Sequence, residues 1–186
     1  MLCTGSKGDS HIWDVATGAV VHVLKGHTDS VNSVAWSCGG VVATGSADGT
    51  VRLWEAVTGA AGHVLHGHKM CCSVAFNPNG SVLVSCGIKQ RSSPAAYGDV
   101  VLWRVDTGTV AHTLHGLCGV LHTVSWNPAR TTVATGTQDR TVQVRNVASG
   151  AVVRVIEFRV GVMSTAWSPL WGAAVHSHEG RAGTCS

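Results

Sequence analysis

The chain has 186 residues, 45% of them hydrophobic and 12% charged, with a net charge of +3 when histidine is neutral. That length suffices for one domain with a real core, the hydrophobic fraction argues against disorder, and so weak and scattered a positive charge does not point to nucleic acid. No apolar run approaches the roughly 18 residues needed to span a bilayer, and the opening MLCTGSKGDSHIW lacks an apolar signal-peptide core. The seven cysteines include no C-x-x-C pair, so reduced, buried thiols in a cytoplasmic or nuclear protein that is not secreted are expected.

In chain order, the segments repeat about every 41 residues and each unit ends near a tryptophan. Trp54 follows Trp13 by 41 residues and Trp167 follows Trp126 by 41, whereas Trp103 follows Trp54 by 49. Residues 2–24 supply the last three strands of a unit whose first strand is missing. The first full unit, about 26–66, reads VNSVAW (31–36), VVATGS (41–46), VRLW (51–54) and AGHVLHG (61–67), separated by SCGG, ADGT and EAVTGA. Short runs rich in Val, Thr and Trp, with Gly and Asp between them, predict an antiparallel meander. Asp48-Gly49 is a hairpin signal, because that pair tolerates the positive φ of a tight turn.

The second unit, 67–115, carries a long connection, GIKQRSSPAAYG (87–98), where the first has SADG (46–49). The third, 116–157, reads TVSWNP (123–128), TVATGT (132–137), TVQVRN (141–146) and AVVRVI (151–156). Residues 160–168 predict one further first strand, and 169–186 an irregular tail. A repeat of this size means stacked supersecondary units, which present a surface more often than a catalytic pocket.

These residues resemble the WD40-repeat family. Gly26-His27 and Gly67-His68 match its Gly-His mark, Trp13-Asp14 matches its closing Trp-Asp, and Trp54-Glu55 and Trp103-Arg104 keep only the Trp. The resemblance covers roughly residues 2–168. It implies an all-β fold of β-propeller blades, each a four-stranded antiparallel sheet. With four blades' worth of strands, a partial or open arc is expected over a closed four-bladed ring. It further implies a hydrogen-bonded network of His27, Thr44, Asp48 and Trp54 in the first full repeat. The second repeat keeps His68, Ser85 and Trp103 but has Tyr97 where the turn Asp belongs. The third keeps Thr135 and Asp139 but has Leu117 for His and Arg145 for Trp.

The expected function is a non-catalytic protein–protein interaction scaffold that offers the loops of one propeller face to a peptide or protein partner. The alternative is a truncated fragment of a larger WD40 protein without an independent function. The contact residues implied are Asp29, Ser30, Lys69, Met70, Lys89, Gln90, Arg91, Tyr97 and Gln138. Exposed blade edges add an expectation of self-association.

No cofactor and no metal are expected. His63, His66 and His68 superficially suggest a metal cluster, but 21–27, 62–68 and 111–117 are one repeat segment, so repeat position explains them. No Walker loop, G-x-S-x-G or H-E-x-x-H motif supports an enzyme. The tryptophans at repeat positions are expected to pack in blade cores.

Overall fold

The structure is a computed structural model that describes residues 1–90 and 97–168. The alternating Val- and Thr-rich runs form fourteen strands among these residues, with no helix: β1 (Leu2–Gly5), β2 (Lys7–Trp13), β3 (Val20–Trp36), β4 (Val41–Ser46), β5 (Thr50–Glu55), β6 (Ala61–His66), β7 (Met70–Phe76), β8 (Val82–Gln90), β9 (Tyr97–Arg104), β10 (Val110–Cys118), β11 (Leu121–Trp126), β12 (Thr132–Thr137), β13 (Thr141–Asn146) and β14 (Val152–Glu157). Every pairing between them is antiparallel and follows chain order, as short turns dictate. β7–β10 form one four-stranded sheet and β11–β14 another.

The first six strands differ from the expected division. The sequence separates a strand ending near residue 24 from one starting at 31, but β3 runs unbroken from Val20 to Trp36. Its first half pairs with β2, its second half with β4, and β1–β6 become one six-stranded sheet. This continuous strand belongs to two blades, and the linker between them is itself hydrogen bonded, as in the Lys7–Ser30 pairing.

The turn at Asp48-Gly49 forms as its chemistry predicts: Gly49 has φ 88° and its N–H donates to the Ser46 carbonyl at 3.1 Å. Glycine also sets how closely blades stack. A Cβ on Gly45 would lie 2.7 Å from the Cys71 Sγ of the next blade, and one on Gly136 would lie 2.8 Å from Val162 Cγ1. The Thr-Gly-Ser run of β4 and the Thr-Gly-Thr run of β12 are thus notches that receive Cys71 and Val162, whereas β8 carries Ser85-Cys86-Gly87 at the same positions.

The innermost strands are joined by a seam of hydroxyls. The Ser33 Oγ accepts from the Val74 N–H (3.1 Å), the Ser73 Oγ from the Val124 N–H (3.3 Å) and the Thr123 Oγ1 from the Thr165 N–H (3.3 Å). At the rim, the outer-strand histidines reach the next blade. His22 Nε2 bonds the Val57 carbonyl at 2.8 Å and His63 Nε2 the Asp106 carbonyl at 3.0 Å. These contacts give the two histidines a place in the fold.

Apolar side chains fill the spaces between sheets. Ala43, Leu53, Leu65, Cys71, Val74 and Trp103 pack as one cluster, and Val84, Cys86, Val100, Leu114, Leu121 and Trp126 as the next. Among the described residues the blades stand in an open arc: β1 is an edge strand that pairs only with β2 within its sheet, and no sheet connects the two ends. Residues 160–168 form no strand element and show a single bridge at Ala166. They nevertheless dock on the last sheet, with Val162 fully buried and the Trp167 indole N–H donating to the Ser125 carbonyl at 3.2 Å. Residues 169–186, expected as an irregular tail, lie outside the described residues.

Candidate interaction face and the networks that support it

In the first complete blade a turn acid and a core tryptophan are linked through two side chains. The Trp54 indole N–H donates to Thr44 Oγ1 at 2.9 Å, Thr44 Oγ1 lies 2.8 Å from His27 Nε2, and His27 Nδ1 lies 2.9 Å from Asp48 Oδ2. An ionised carboxylate only accepts, so His27 carries its proton on Nδ1 and its Nε2 accepts from the Thr44 hydroxyl. Asp48 also accepts from the Thr28 N–H, the Thr50 N–H and the Thr50 hydroxyl at 2.7–2.9 Å. Burial opposes its charge, but these donors outweigh burial and hold the carboxyl well below the usual range.

The second blade keeps half of this chain. The Trp103 N–H donates to Ser85 Oγ at 2.8 Å, and Ser85 Oγ lies 2.7 Å from His68 Nε2. His68 Nδ1 is buried and has no hydrogen-bond partner among the described residues. Tyr97, in the position expected for the turn acid, instead opens β9, with its backbone opposite Gln90. The acid in this neighbourhood is Asp99, which occupies the repeat position of Thr50 and is 3% exposed. The Lys89 Nζ lies 2.6 Å from its Oδ2. Asp99 was legible only by aligning GDVVLW (98–103) with GTVRLW (49–54), which puts an acid one residue after the glycine. Burial pushes the His68 ring down to about 4, the Asp99 charge opposes this, and the Lys89 charge adds to it.

The third blade replaces the network. Thr135 Oγ1 donates to the Gln143 carbonyl at 3.3 Å, and Asp139 is exposed. The Arg145 guanidinium, 6% exposed, fills the tryptophan position. It donates to the carbonyls of His115 (2.7 Å) and Gly116 (3.3 Å) and twice to Gln143 Oε1 (3.2 and 3.1 Å). Five donors in a rigid fork satisfy backbone groups that an indole cannot reach. In the N-terminal blade the Trp13 N–H donates to Thr4 Oγ1 at 2.8 Å.

Arg140 takes the place that Gly49 has in the first blade and holds φ 64°. A non-glycine residue there costs about 1 kcal/mol. Arg140→Gly is therefore expected to raise stability by up to about 1 kcal/mol, read as a shift of the urea midpoint at unchanged slope.

The inner strands bound a groove of about 410 Å³ lined by Ser30, Asn32, Ala47, Met70, Cys72, His122 and Met163. Two expected contact residues, Ser30 and Met70, meet here. Asp29 and Lys69 are exposed beside them, and Asp29 Oδ1 accepts from the Ser30 N–H at 2.7 Å. Gln138 is exposed, and its N–H donates to the Val120 carbonyl at 2.9 Å. Lys89 and Gln90 end β8, while Arg91 lies outside the described residues.

Among the described residues no group of three or more His, Cys, Asp or Glu could hold a metal ion. Cys71 and Cys72 face different apolar clusters, as adjacent strand residues should. Burial pushes the thiols of Cys3 (to about 11), Cys71, Cys72 and Cys86 upward, which makes them weak nucleophiles.

Successive four-stranded antiparallel sheets, notched together along their inner strands, define a β-propeller architecture. The WD domain, G-beta repeat (WD40) model matches residues 18–55, 59–91 and 108–146, more than half of the chain, and the chain belongs to the WD40-repeat family. It is 36% identical over 52 residues to Protein Notchless of Drosophila melanogaster, a match covering 28% of this chain and 11% of that protein. It also resembles a chain in the crystal structure of the mitotic checkpoint complex, with a TM-score of 0.77 and 24% identity, over 90% of this chain and 50% of that one. The chain thus spans about half the length of the solved chain it matches. No helix among the described residues is long and apolar enough to cross a membrane.

Proposed function

We propose that this chain is a non-catalytic scaffold that receives a peptide or protein partner on the face where the inner strands begin. The observation that carries the reading is the groove between successive repeats. Ser30 and Asn32 come from one blade, Met70 and Cys72 from the next, His122 from a third and Met163 from the segment beyond. Ala47, in the β4–β5 turn, lines the same groove, so those turns share a face with the 29–30 and 69–70 loops. By repeat position Gln138 belongs to this face too, as do Lys89 and Gln90 at the end of β8, while residues 91–96 of the expected contact segment lie outside the described residues. Methionine side chains adapt to irregular apolar surfaces, and the networks below hold the rim in one geometry before binding, which lowers the ordering cost of association.

The raised thiols and the low-titrating His68 support the non-catalytic reading. A cytoplasmic or nuclear setting, where thiols stay reduced, suits the free Cys3, Cys38, Cys71, Cys72 and Cys86. Partners are expected to be proteins, with self-association at the blade edges as a further component.

Met70→Glu places a charge in the groove without entering a core cluster. In quantitative affinity recovery from cell extract, proteins enriched by the native chain should be lost with Met70→Glu and kept with Val153→Glu, an exposed outer-strand control. Equal enrichment by both variants would refute the groove as the contact surface.

A further inference from the structure

Four equivalent segments, 31–36 (VNSVAW), 71–76 (CCSVAF), 121–126 (LHTVSW) and 162–167 (VMSTAW), place one side chain each where neither packing nor the hydroxyl seam uses it. At the first position Cys71, Leu121 and Val162 are fully buried. At the third, Ser33, Ser73 and Thr123 accept from the next segment. The second position holds Asn32, Cys72, His122 and Met163, and all four line the same groove. Met70, two residues before Cys72, lines it as well.

The seam fixes the spacing of these side chains. The Ser73–Val124 bond (3.3 Å) clamps the strand of Cys72 to that of His122, and the Thr123–Thr165 bond (3.3 Å) clamps the strand of His122 to the segment of Met163. Asn32 spends its amide on the backbone, donating from Nδ2 to the Cys71 carbonyl at 2.8 Å. What remains facing the groove is a thiol, an imidazole and two thioethers. His, Cys, Asp and Glu alone make no metal site among the described residues, but thioether sulfur is also a donor, and to soft ions only.

We propose that Cys72, His122, Met70 and Met163 form a site for a soft monovalent metal ion of the copper(I) class. Thiolate and thioether sulfur select copper(I), and imidazole suits copper as well. Binding displaces the thiol proton, so one thiolate balances one monovalent charge and the filled site is neutral. A divalent ion would leave a net positive charge there, and structural zinc takes four Cys, His or carboxylate ligands where this groove offers two. The flexible methionine side chains can close their sulfurs on an ion held between the stiffer Cys72 and His122. The proposal departs from the sequence expectation of no metal because that expectation weighed only the outer-strand histidines. It concerns the groove of the proposed function but requires no protein partner in it.

Anaerobic titration of the full chain with copper(I), against bicinchoninate as a coloured competitor, tests this. The native chain should withhold a single equivalent of copper(I) from the chelator, and zinc(II) should not displace it. Met163→Leu keeps the size and apolar character of a residue that is already 56% exposed, and it should weaken retention at least about tenfold, since loss of even outer-shell support has that effect at metal sites. Cys72→Ser should abolish retention, and Cys38→Ser, which removes an exposed thiol, should leave it unchanged. X-ray absorption at the copper edge should show sulfur ligands with an imidazole, and the imidazole signature should vanish in His122→Gln. Because these readouts use the isolated chain, they stand or fall separately from partner recovery with Met70→Glu. No retention by the native chain overturns the proposal. So does loss in Cys72→Ser with Met163→Leu and His122→Gln unchanged, which marks a lone thiol.

Discussion

His27→Ala is expected to lower the unfolding free energy by about 3 kcal/mol, the cost of breaking a buried network and leaving its other members short of partners. For a chain of this size that is a fall in melting temperature of roughly 6–12 °C. The ring is 1% exposed and is the sole link between the Asp48 carboxylate and the Thr44 hydroxyl. Its loss removes one donor from a buried carboxylate and an acceptor from a hydroxyl that is still held by Trp54. His122→Ala serves as the comparison, because His122 lines the open groove and is only half-buried. Its cost should stay within about 0.5 kcal/mol. Equal shifts for the two variants, measured by thermal or urea unfolding, would show that the network contributes nothing beyond packing.

Stability should also fall between about pH 6.5 and pH 4, with His68 as the responsible group. Burial depresses its ring to about 4, against about 6.5 in an unfolded chain. The folded state therefore binds fewer protons through this window, and stability rises with pH. The contribution is complete above about pH 6.5 and is lost as pH falls toward 4, on the order of 3 kcal/mol. Asp48 acts in a separate window. Its depressed carboxyl contributes stability that is present above its unfolded value near 4 and disappears only in stronger acid. Urea titrations at pH 7 and pH 4.5 on the native chain and on His68→Gln distinguish the two residues. The native protein should lose markedly more stability than the variant over that interval. Parallel losses would assign the effect to other groups.

The physical origin of this sensitivity lies in the long connection of the second repeat. In the first blade a short turn brings Asp48 back over the histidine, so Nδ1–H has an acceptor. The second blade has no acid at that point of its sequence, and His68 Nδ1 is buried without a partner among the described residues. Asp99 enters from the next strand but is engaged by Lys89. A neutral imidazole with one orphaned donor pays a modest penalty, whereas protonating it adds a charge to a buried site.

The blade architecture was legible because its signals are local. Period-two runs, Asp-Gly turns and recurring tryptophans each specify a short stretch of chain, and their repetition fixes the order of strands. Asp48, Thr44 and Trp54 were legible for the same reason, since each sits at a position that repeats. What escaped depends on neighbours in space. Gly26-His27 reads as a loop, yet β3 passes through it, because both of its flanks find ladder partners. Arg145 reads as a lost tryptophan. Only the fold shows that its guanidinium meets two carbonyls at the end of β10. Trp36 reads like every other repeat tryptophan expected to pack in a blade core, yet in the fold it is 37% exposed.

The first and second complete blades are held to each other at two points, by the Ser33–Val74 bond near the axis and the His63–Asp106 bond at the rim. A sheet fixed at a single point could tilt like a page; one fixed at both edges cannot. The spacing between the loops of these two blades is therefore a property of the backbone rather than of the loops themselves. Sequence at the loop tips is free to vary without disturbing the geometry in which those tips are displayed.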